Sequence, residues 1–333
     1  MRVIIDAMGG DNAPHAIVDG SIQAVNEYGI NLTLVGDSEA IKNELSKYTY
    51  DNSKIEIVNT TEIIFTNEHP VMAIRRKKDS SMVVGMKLVK EGNGQAFISA
   101  GSTGAILAGS LFIIGRLKGI DRPAIAPILP GKNGAFMVID VGANVDCKPK
   151  NLVQFAIMGS IYFKKVLKVE HPKVGLINIG TEEEKGNELT KAAFKLLKEA
   201  NINFIGNVEP RDIPLGDVEV LVCDGFVGNT VLKLFEGSCA VLFDSLREEL
   251  VRTNISKFTA LLLRPIFRRF KKRFDYDEYG GAAFLGVNGA VIKAHGSSNA
   301  KAIKNAIRQA VIFTENDVIS QINENIIYDE NVE

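Results

Sequence analysis

The sequence predicts an α/β protein, a three-layer α/β/α arrangement whose sheet is mostly parallel but mixed. Over the first hundred residues, helical patterns alternate with apolar strand patterns, which lie at 2–6, 31–36, 54–59 and 95–100. This alternation is typical of a parallel sheet covered by helices on both faces. Two further apolar segments, 124–130 and 135–141, are joined only by the turn 131–134, so they must be antiparallel neighbours.

The helices are predicted from capping residues and from apolar spacing. Asn12 is predicted to cap the first helix and Pro14 to lie in its first turn, ahead of apolar residues at helical spacing from Ile17. Because no linker, repeat or low-complexity segment interrupts the chain, we expect one catalytic body over residues 1–333. Whether this body has two lobes is left open by the sequence.

Composition and charge narrow the classes of function. The 39 Lys and Arg residues balance 40 Asp and Glu residues, so net charge gives no basis for nucleic-acid binding. Three cysteines without metal-ligand spacing fit a reduced compartment better than a disulfide framework. The N-terminus has no cleavable signal pattern, and the apolar stretch 104–115 is shorter than the roughly 20 residues of a spanning helix. We therefore expect a cytoplasmic protein.

Six predicted strand ends share a polar residue followed by glycine and a helix start. They lie at 6–10, 99–104, 140–144, 178–181, 224–229 and 293–297. Ligands bind beyond the C-terminal strand ends of open α/β sheets, and glycine lets a ligand approach the backbone there. One such turn is more often a tight connection, but six indicate a shared polar crevice. None matches a dinucleotide-binding or Walker A loop, so the sequence does not support binding of NAD or ATP.

Two of these turns carry side chains that allow two interpretations. Ser102 and Thr103 could hold phosphate at the start of the helix that runs from Gly104, or they could simply cap that helix. His295 could act as a base or contact phosphate, but a satisfied core histidine fits its position equally well.

Two other side chains also have a structural alternative. Thr181 and Glu184 form a capping-box pattern, which would make the segment an ordinary helix start. Lys185 opposes the dipole of such a helix and becomes sensible if it contacts an anion. Cys147 could form an acyl-enzyme, but the sequence shows no partner base for it.

Residues 253–279 differ in composition from the rest of the chain and form a basic amphipathic insertion. Pro265 is predicted to begin its second helix. Such a segment can lie on an anionic membrane, dock an acidic partner protein, or pack in a dimer with a solvated basic edge. The contacts that we expect with a membrane or with such a partner are Leu262, Leu263, Phe267, Arg268, Arg269, Phe270, Lys271 and Lys272.

A set of sequence blocks resembles the bacterial phosphate acyltransferases, the PlsX family. The opening V-I-I-D-A-M-G-G-D-N-A-P is similar to that family's first signature. I-S-A-G-S-T-G-A, D-V-G-A-N-V-D, I-G-x-E-x-x-K-G-N and C-D-G-F-V-G-N follow in the family's order, with G-G-A-x-F-L-G-V-N-G and K-A-H-G after them. The resemblance covers essentially the whole chain.

The resemblance implies an activity and a set of partners. Family members transfer a fatty acyl group from acyl carrier protein to inorganic phosphate, giving acyl phosphate at the entry to phospholipid synthesis. It implies a homodimer without metal or organic cofactor, and a fold similar to isocitrate and isopropylmalate dehydrogenases and phosphotransacetylase. Peripheral association with a membrane surface is expected from the basic insertion. The alternatives are a phosphotransacetylase-like enzyme that uses acyl-CoA, or an NAD- and metal-dependent hydroxyacid decarboxylase, for which the sequence lacks the carboxylate cluster and the nucleotide loop.

The residue assignments are hypotheses about how such a transfer would be catalysed. Phosphate is already an anionic nucleophile, so the enzyme must mainly position it and stabilise the oxyanion. The expected catalytic residues are Lys185, Asn229, Asp224 and His295. The expected substrate-binding residues are Asp6, Gly9, Gly10, Ser102, Thr103, Gly104, Asp140, Asn144, Asn178 and Lys293. Whether Asp6 does chemistry or only holds its loop is open, and holding is favoured.

Overall fold

The computed structural model describes residues 1–274 and 276–327, and gives only the backbone of 271–273, 276–277 and 327. Its strands form two sheets rather than one. The seven-stranded sheet has the order β3-β2-β1-β4-β12-β11-β5. Its strands are β1 (Arg2–Asp6), β2 (Asn31–Gly36), β3 (Ile55–Asn59), β4 (Ala96–Ser99), β5 (Ala124–Ala126), β11 (Ala282–Leu285) and β12 (Ala290–Lys293). Only β11 runs antiparallel to its neighbours in this sheet.

The second sheet has five strands in the order β6-β7-β10-β8-β9. They are β6 (Ile128–Pro130), β7 (Ala135–Ile139), β8 (Val174–Ile177), β9 (Phe204–Val208) and β10 (Val220–Val222). The antiparallel pairing across the 131–134 turn is confirmed, since β6 pairs with β7. The predicted single strand over 124–130 is wrong, because Pro127 divides it between the two sheets. Proline has no N–H for a strand ladder, so the chain can change sheet at that residue.

Eleven α-helices lie within the described ranges. They are α1 (His15–Tyr28), α2 (Ser38–Leu45), α3 (Pro70–Arg76), α4 (Ser81–Lys90), α5 (Thr103–Gly109), α6 (Pro149–Val166), α7 (Glu188–Glu199), α8 (Gly225–Val251), α9 (Asn254–Arg273), α10 (Ala300–Glu315) and α11 (Val318–Ile327). A π-helical turn (Ser110–Ile114) extends α5.

The two sheets share a continuous apolar core. One cluster of buried side chains includes Val3 and Ile5 from the first sheet together with Met137 and Val174 from the second. Among the described residues, Tyr162 on α6 is the largest fully buried side chain. Its hydroxyl accepts a hydrogen bond from the Gln309 amide of α10 at 2.7 Å, so its polar group is satisfied inside the core. The two-lobed alternative stays a prediction.

Two predicted helix starts are wrong. Pro14 occupies the capping position of α1, and the Asn12 amide instead donates to the Ser297 and Ser298 carbonyls at 3.1 and 3.2 Å. The predicted capping box at Thr181 is a loop, because α7 begins only at Glu188. The side chain of Asn187 caps that helix by accepting from the Thr190 N–H at 2.9 Å. Asn12 is therefore used in a long-range contact instead of a cap, and Asn187 rather than Thr181 caps α7.

The predicted insertion forms the second arm of a helical hairpin. Its first arm, α8, is 27 residues long, and α9 returns beside it through a ring contact between Phe243 and Phe270. The prediction that Pro265 begins a helix is wrong, because Pro265 lies inside α9. Apolar residues keep helical spacing on both sides of Pro265, which favours one continuous helix despite the missing hydrogen bond.

Candidate active site

A cavity of about 170 Å³ lies where the two sheets meet. Its floor is apolar and includes Ile125 of β5 and Ile128 of β6, one residue from each sheet. Its polar wall comes from the end of β12, the start of α5 and the first turns of α8. The polar side chains of this wall are Thr103, Asn229, Lys233, Glu236, Lys293 and His295. The cavity therefore lies beyond strand ends, where ligands bind in open α/β sheets.

Four predicted site residues, Thr103, Asn229, Lys293 and His295, line this cavity. The core alternative for His295 is wrong, because its ring is exposed and bonds through Nδ1 to the Ser297 hydroxyl at 2.8 Å.

The sequence reasoning missed Lys233 and Glu236, which also line the cavity. They pair at 2.8 Å, and they follow Asn229 by four and seven residues on α8. Residues at those separations share one helical face. That spacing was the signal that could have located them.

Lys293 has the most perturbed charge in the cavity. Burial and, to a smaller extent, the nearby charge of Lys233 together lower the pKa of its ammonium group to about 8, although Asp11 acts in the opposite direction. Its Nζ also donates a hydrogen bond to the Ala294 carbonyl. A lysine in this state is charged at neutral pH and is close to titration, which suits an anion-binding group.

Asp6 holds two neighbouring turns together. Its Oδ2 accepts from the Ser99 hydroxyl at 2.7 Å, and its Oδ1 accepts from the Met8 N–H at 3.2 Å. A Cβ at Gly9 would lie 2.6 Å from the same carboxylate, so only glycine fits there. Burial raises the pKa of Asp6, against the opposing effect of these hydrogen bonds. The contacts support the interpretation that Asp6 positions its loop.

The first turn is also tied to the end of β12. Gly10 has φ of 98°, a backbone conformation that favours glycine, and the next N–H, of Asp11, donates to the Gly296 carbonyl at 2.8 Å. The turn that carries Gly9 and Gly10 is thus joined to the strand end that carries Lys293 and forms part of the support of the cavity.

Asp140 joins the two sheets at the cavity floor. Its carboxylate accepts from the Ile125 N–H at 2.8 Å and from the Asn144 N–H at 2.6 Å. The Asn144 amide donates to the same carboxylate at 3.1 Å and to the Pro123 carbonyl at 2.8 Å, so Asn144 is part of this support. Burial is the largest influence on Asp140 and raises its pKa.

Two predicted site residues act as helix caps. Asp224 Oδ1 accepts from the Phe226 and Val227 N–H groups, both at 2.9 Å, at the start of α8. The Ser102 hydroxyl accepts from the Ala105 N–H at 3.5 Å at the start of α5. Gly104 follows, and a Cβ on it would approach Pro70 to 2.7 Å. These contacts place the starts of α5 and α8 against the cavity.

Lys185 and Asn178 lie in a separate loop. The Asn178 amide donates to the Lys185 carbonyl at 3.0 Å, and the Lys185 side chain is exposed. Neither residue lines the cavity that contains Lys293. The structure therefore does not bring Lys185 together with the other predicted phosphate ligands.

The cysteines near the cavity are poor nucleophiles. Burial, with the negative charges of Asp140 and Asp224, raises the pKa of Cys147 to about 11 and raises that of Cys223 well above its usual value. A thiol in this state is protonated at neutral pH, so an acyl-cysteine is disfavoured. Across residues 1–274 and 276–327, no three His, Cys, Asp or Glu side chains are placed to hold a metal ion.

Comparisons with known proteins identify the family. Residues 1–321 match the family model described as fatty acid synthesis protein. A protein of Clostridium novyi (strain NT) named phosphate acyltransferase is 57% identical over 327 residues, which are 98% of each chain. This chain belongs to the phosphate acyltransferase family. The resemblance identified from the sequence blocks is thereby confirmed.

Solved structures that share the fold of this phosphate acyltransferase family member have much lower sequence identity to it. A phosphotransacetylase from Streptococcus pyogenes is 17% identical with a TM-score of 0.61, over 96% of this chain and 94% of that one. A 4-hydroxythreonine-4-phosphate dehydrogenase from Klebsiella pneumoniae is 12% identical with a TM-score of 0.51, over 93% and 98%. At these identities the likeness concerns the fold alone, and it confirms the predicted α/β class.

The helical hairpin of this family member is apolar and exposed. On α9, Leu262, Leu263, Ile266 and Phe270 are 42–65% exposed, Phe267 is half-buried, and Arg268 and Arg269 are exposed. The side chains of Lys271 and Lys272 lie outside the described residues. On α8, Leu242 is 70% exposed, and this helix is long and apolar enough to cross a membrane by length and composition alone.

Proposed function

We propose that this chain transfers a fatty acyl group from the thioester of acyl carrier protein to inorganic phosphate. The products would be acyl phosphate, for phospholipid synthesis, and the free carrier-protein thiol. Membership of the phosphate acyltransferase family supports acyl transfer to phosphate. The observation that carries the proposal is the cavity in which two ammonium groups, Lys233 and Lys293, accompany Thr103, Asn229 and His295 over an apolar floor.

The proposed reaction needs positioning and charge more than an activated side chain. An oxygen of hydrogenphosphate attacks the thioester carbonyl carbon, the new C–O bond forms, and the C–S bond breaks. Overall, the proton of hydrogenphosphate ends on the departing sulfur. Lys293 holds the phosphate as an ammonium ion, while Asn229 and Thr103 offer donors to phosphate or to the developing oxyanion. Asp6, Asp140 and Asp224 position the loops, through the backbone hydrogen bonds that each accepts.

The acyl donor is tested by a direct comparison of thioesters. The enzyme would receive the same acyl chain either on acyl carrier protein or on CoA, with saturating phosphate, and release of the thiol would be followed. We expect a kcat/KM at least about tenfold higher for the carrier-protein thioester, which is 1.4 kcal/mol of preferential recognition. A preference for the CoA thioester would instead support the phosphotransacetylase-like alternative.

Lys185 remains a predicted phosphate ligand that can be compared with Lys293. If Lys185 contacts phosphate, Lys185→Ala should raise the apparent KM for phosphate severalfold by removing a charged contact. Lys293→Met is the matched variant, because it also removes one lysine charge, but from a residue that lines the cavity. The phosphate dependence of thiol release would be measured for both folded proteins. A phosphate KM for Lys185→Ala equal to that of the wild type would exclude Lys185 from the site.

We further propose that the α8–α9 hairpin forms both the homodimer contact and the peripheral membrane surface. Both helices carry many exposed apolar side chains, which mark an interface when they are grouped. Arg268 and Arg269 add positive charge beside the apolar residues of α9, a combination that suits an anionic lipid surface. This location agrees with an otherwise cytoplasmic protein.

Replacing Leu262 and Ile266 together by Asp should weaken binding to vesicles that contain phosphatidylglycerol. We expect a loss of at least about tenfold, because burying each aliphatic side chain contributes about 1.5–3 kcal/mol. Flotation of the protein with vesicles measures the effect. The matched variant changes Ile205 and Leu215, two exposed apolar residues outside the hairpin, to Asp. Equal flotation of all three proteins would refute the membrane role, and light scattering of the same samples reports the dimer.

A further inference from the structure

A second exposed surface that combines basic and apolar side chains lies on α3 and the π-helical turn after α5. We call it the α3 surface and define it by Phe65, Met72, Arg75, Arg76, Lys78 and Phe112. Phe65, Met72 and Phe112 are 58%, 40% and 56% exposed. Large apolar side chains that are grouped on a solvent-exposed surface mark a site of contact with a partner.

The aromatic side chains of the α3 surface are held by cations. The Arg75 guanidinium lies 5.5 Å from the centre of the Phe112 ring, and the Lys77 ammonium lies 5.2 Å from that of Phe65. These contacts place a cation against each exposed ring. Aromatic side chains and arginine are the residue types that dominate protein contacts.

The basic side chains of this surface keep their charge available. Lys77 is paired with Glu68 at 2.6 Å, whereas within the described ranges Arg75 and Arg76 form no ion pair. The nearby acidic side chains form hydrogen bonds within the segments that precede and follow α3. Asp79 accepts from the Thr61 N–H and hydroxyl at 2.9 and 2.6 Å, and Glu62 accepts from the Asp79 N–H at 3.0 Å.

The α3 surface is continuous with the wall of the cavity. Pro70, the first residue of α3, lies against Gly104 in the first turn of α5. The preceding residue, Thr103, lines the cavity. A partner seated on the α3 surface would therefore lie beside the wall of the cavity that contains Lys293.

We propose that the α3 surface docks the acyl donor, an acidic carrier protein that presents its acyl group on a phosphopantetheine thioester. This assignment rests on the proposed function. It distinguishes two basic surfaces, because the α3 surface would bind the carrier protein and the α8–α9 hairpin would bind lipid. Charge attraction would steer the carrier protein to Arg75 and Arg76, and Phe112 would supply the apolar contact.

The test reverses the same number of charges on each surface. Arg75→Glu with Arg76→Glu alters the α3 surface, and Arg268→Glu with Arg269→Glu alters α9 by the same total charge. Steady-state rates would be measured with acyl carrier protein and with the matching acyl-pantetheine thioester. We expect the α3 variant to raise KM for the carrier-protein thioester at least about tenfold and to leave the pantetheine thioester unaffected. The α9 variant should leave both KM values unchanged.

Each other outcome overturns the proposal. It is wrong if the α9 variant alone raises KM for the carrier protein, or if the α3 variant loses vesicle flotation while KM stays constant. Phe112→Ala, which keeps every charge, provides a second variant should the double reversal unfold, and it should raise the same KM severalfold. Failure of the wild-type protein to release thiol from either thioester would instead refute the proposed function, which distinguishes the two claims.

Discussion

Lys293→Met is expected to lower kcat/KM for phosphate by about a hundredfold at pH 7, the usual effect of removing one donor from a water-poor anion site. Lys293 is half-buried at the end of β12, where its ammonium group faces the cavity. Methionine keeps a similar length and removes the charge. The rate of thiol release as a function of phosphate concentration measures the change, and unfolding curves verify that the variant is folded.

The pH dependence of phosphate binding gives this prediction a sign. Lys293 has a pKa of about 8, so its charge is present below pH 8 and is lost above it. The apparent affinity for phosphate should therefore fall about tenfold between pH 7 and pH 9, following the fraction of lysine that is charged. Lys293→Arg should remove this dependence, because arginine stays charged throughout the range. The ionisation of phosphate itself is common to both proteins.

Lys233→Met provides a control for the cause of the shift. Because the charge of Lys233 contributes to the low pKa of Lys293, its removal should move the pH midpoint of phosphate binding upward. An identical pH profile for the wild type and Lys293→Arg would contradict the assignment of Lys293 as the phosphate ligand.

Asp140→Ala is expected to lower the free energy of unfolding by about 3 kcal/mol or more. The change leaves the buried N–H groups of Ile125 and Asn144 without their acceptor, and each unsatisfied buried donor costs about 1–3 kcal/mol. It also removes the link between the two sheets at the cavity floor, so activity should fall more than stability alone explains. Urea unfolding measures the first effect and kcat the second.

Asp224→Ala is the matched control, since it also removes a strand-end carboxylate that accepts two backbone hydrogen bonds. Asp224 is less buried and acts as a helix cap, so its loss should cost only about 1 kcal/mol. Equal destabilisation by the two substitutions would show that Asp140 has no special role between the sheets.

The sequence located the site through strand ends more reliably than through single residues. Parallel strands bring their C-terminal ends together, so the turns at Asp6, Asp140 and Lys293 were predicted to meet. Backbone hydrogen bonds join the turns after Asp6 and Lys293 at one edge of the seven-stranded sheet, and Asp140 links the second sheet to β5 of the first. Charge and motif alone indicate Lys185 as a phosphate ligand, but Lys185 lies in a loop outside the cavity. Charge and motif do not fix where a side chain points.

The features that escaped prediction depend on contacts between distant segments. The division of 124–130 between two sheets follows from Pro127 and from the pairing of β5 with β11, which lies more than a hundred residues away in the sequence, whereas β6 pairs with the neighbouring β7. Asn12 does not cap α1, because its side-chain amide donates to the carbonyls of Ser297 and Ser298. Lys233 lies one helical turn after Asn229 on α8, and this spacing is the sequence signal that places it beside Asn229 in the cavity.

The central claim is that phosphate accepts the acyl group from a carrier-protein thioester. The most direct measurement incubates the wild-type protein with acyl carrier protein that carries a labelled acyl chain, with and without inorganic phosphate, and traps acyl phosphate with hydroxylamine. The account predicts hydroxamate and free thiol in equal amounts, and only when phosphate is present. Thiol release that does not depend on phosphate, or the absence of hydroxamate, would contradict it.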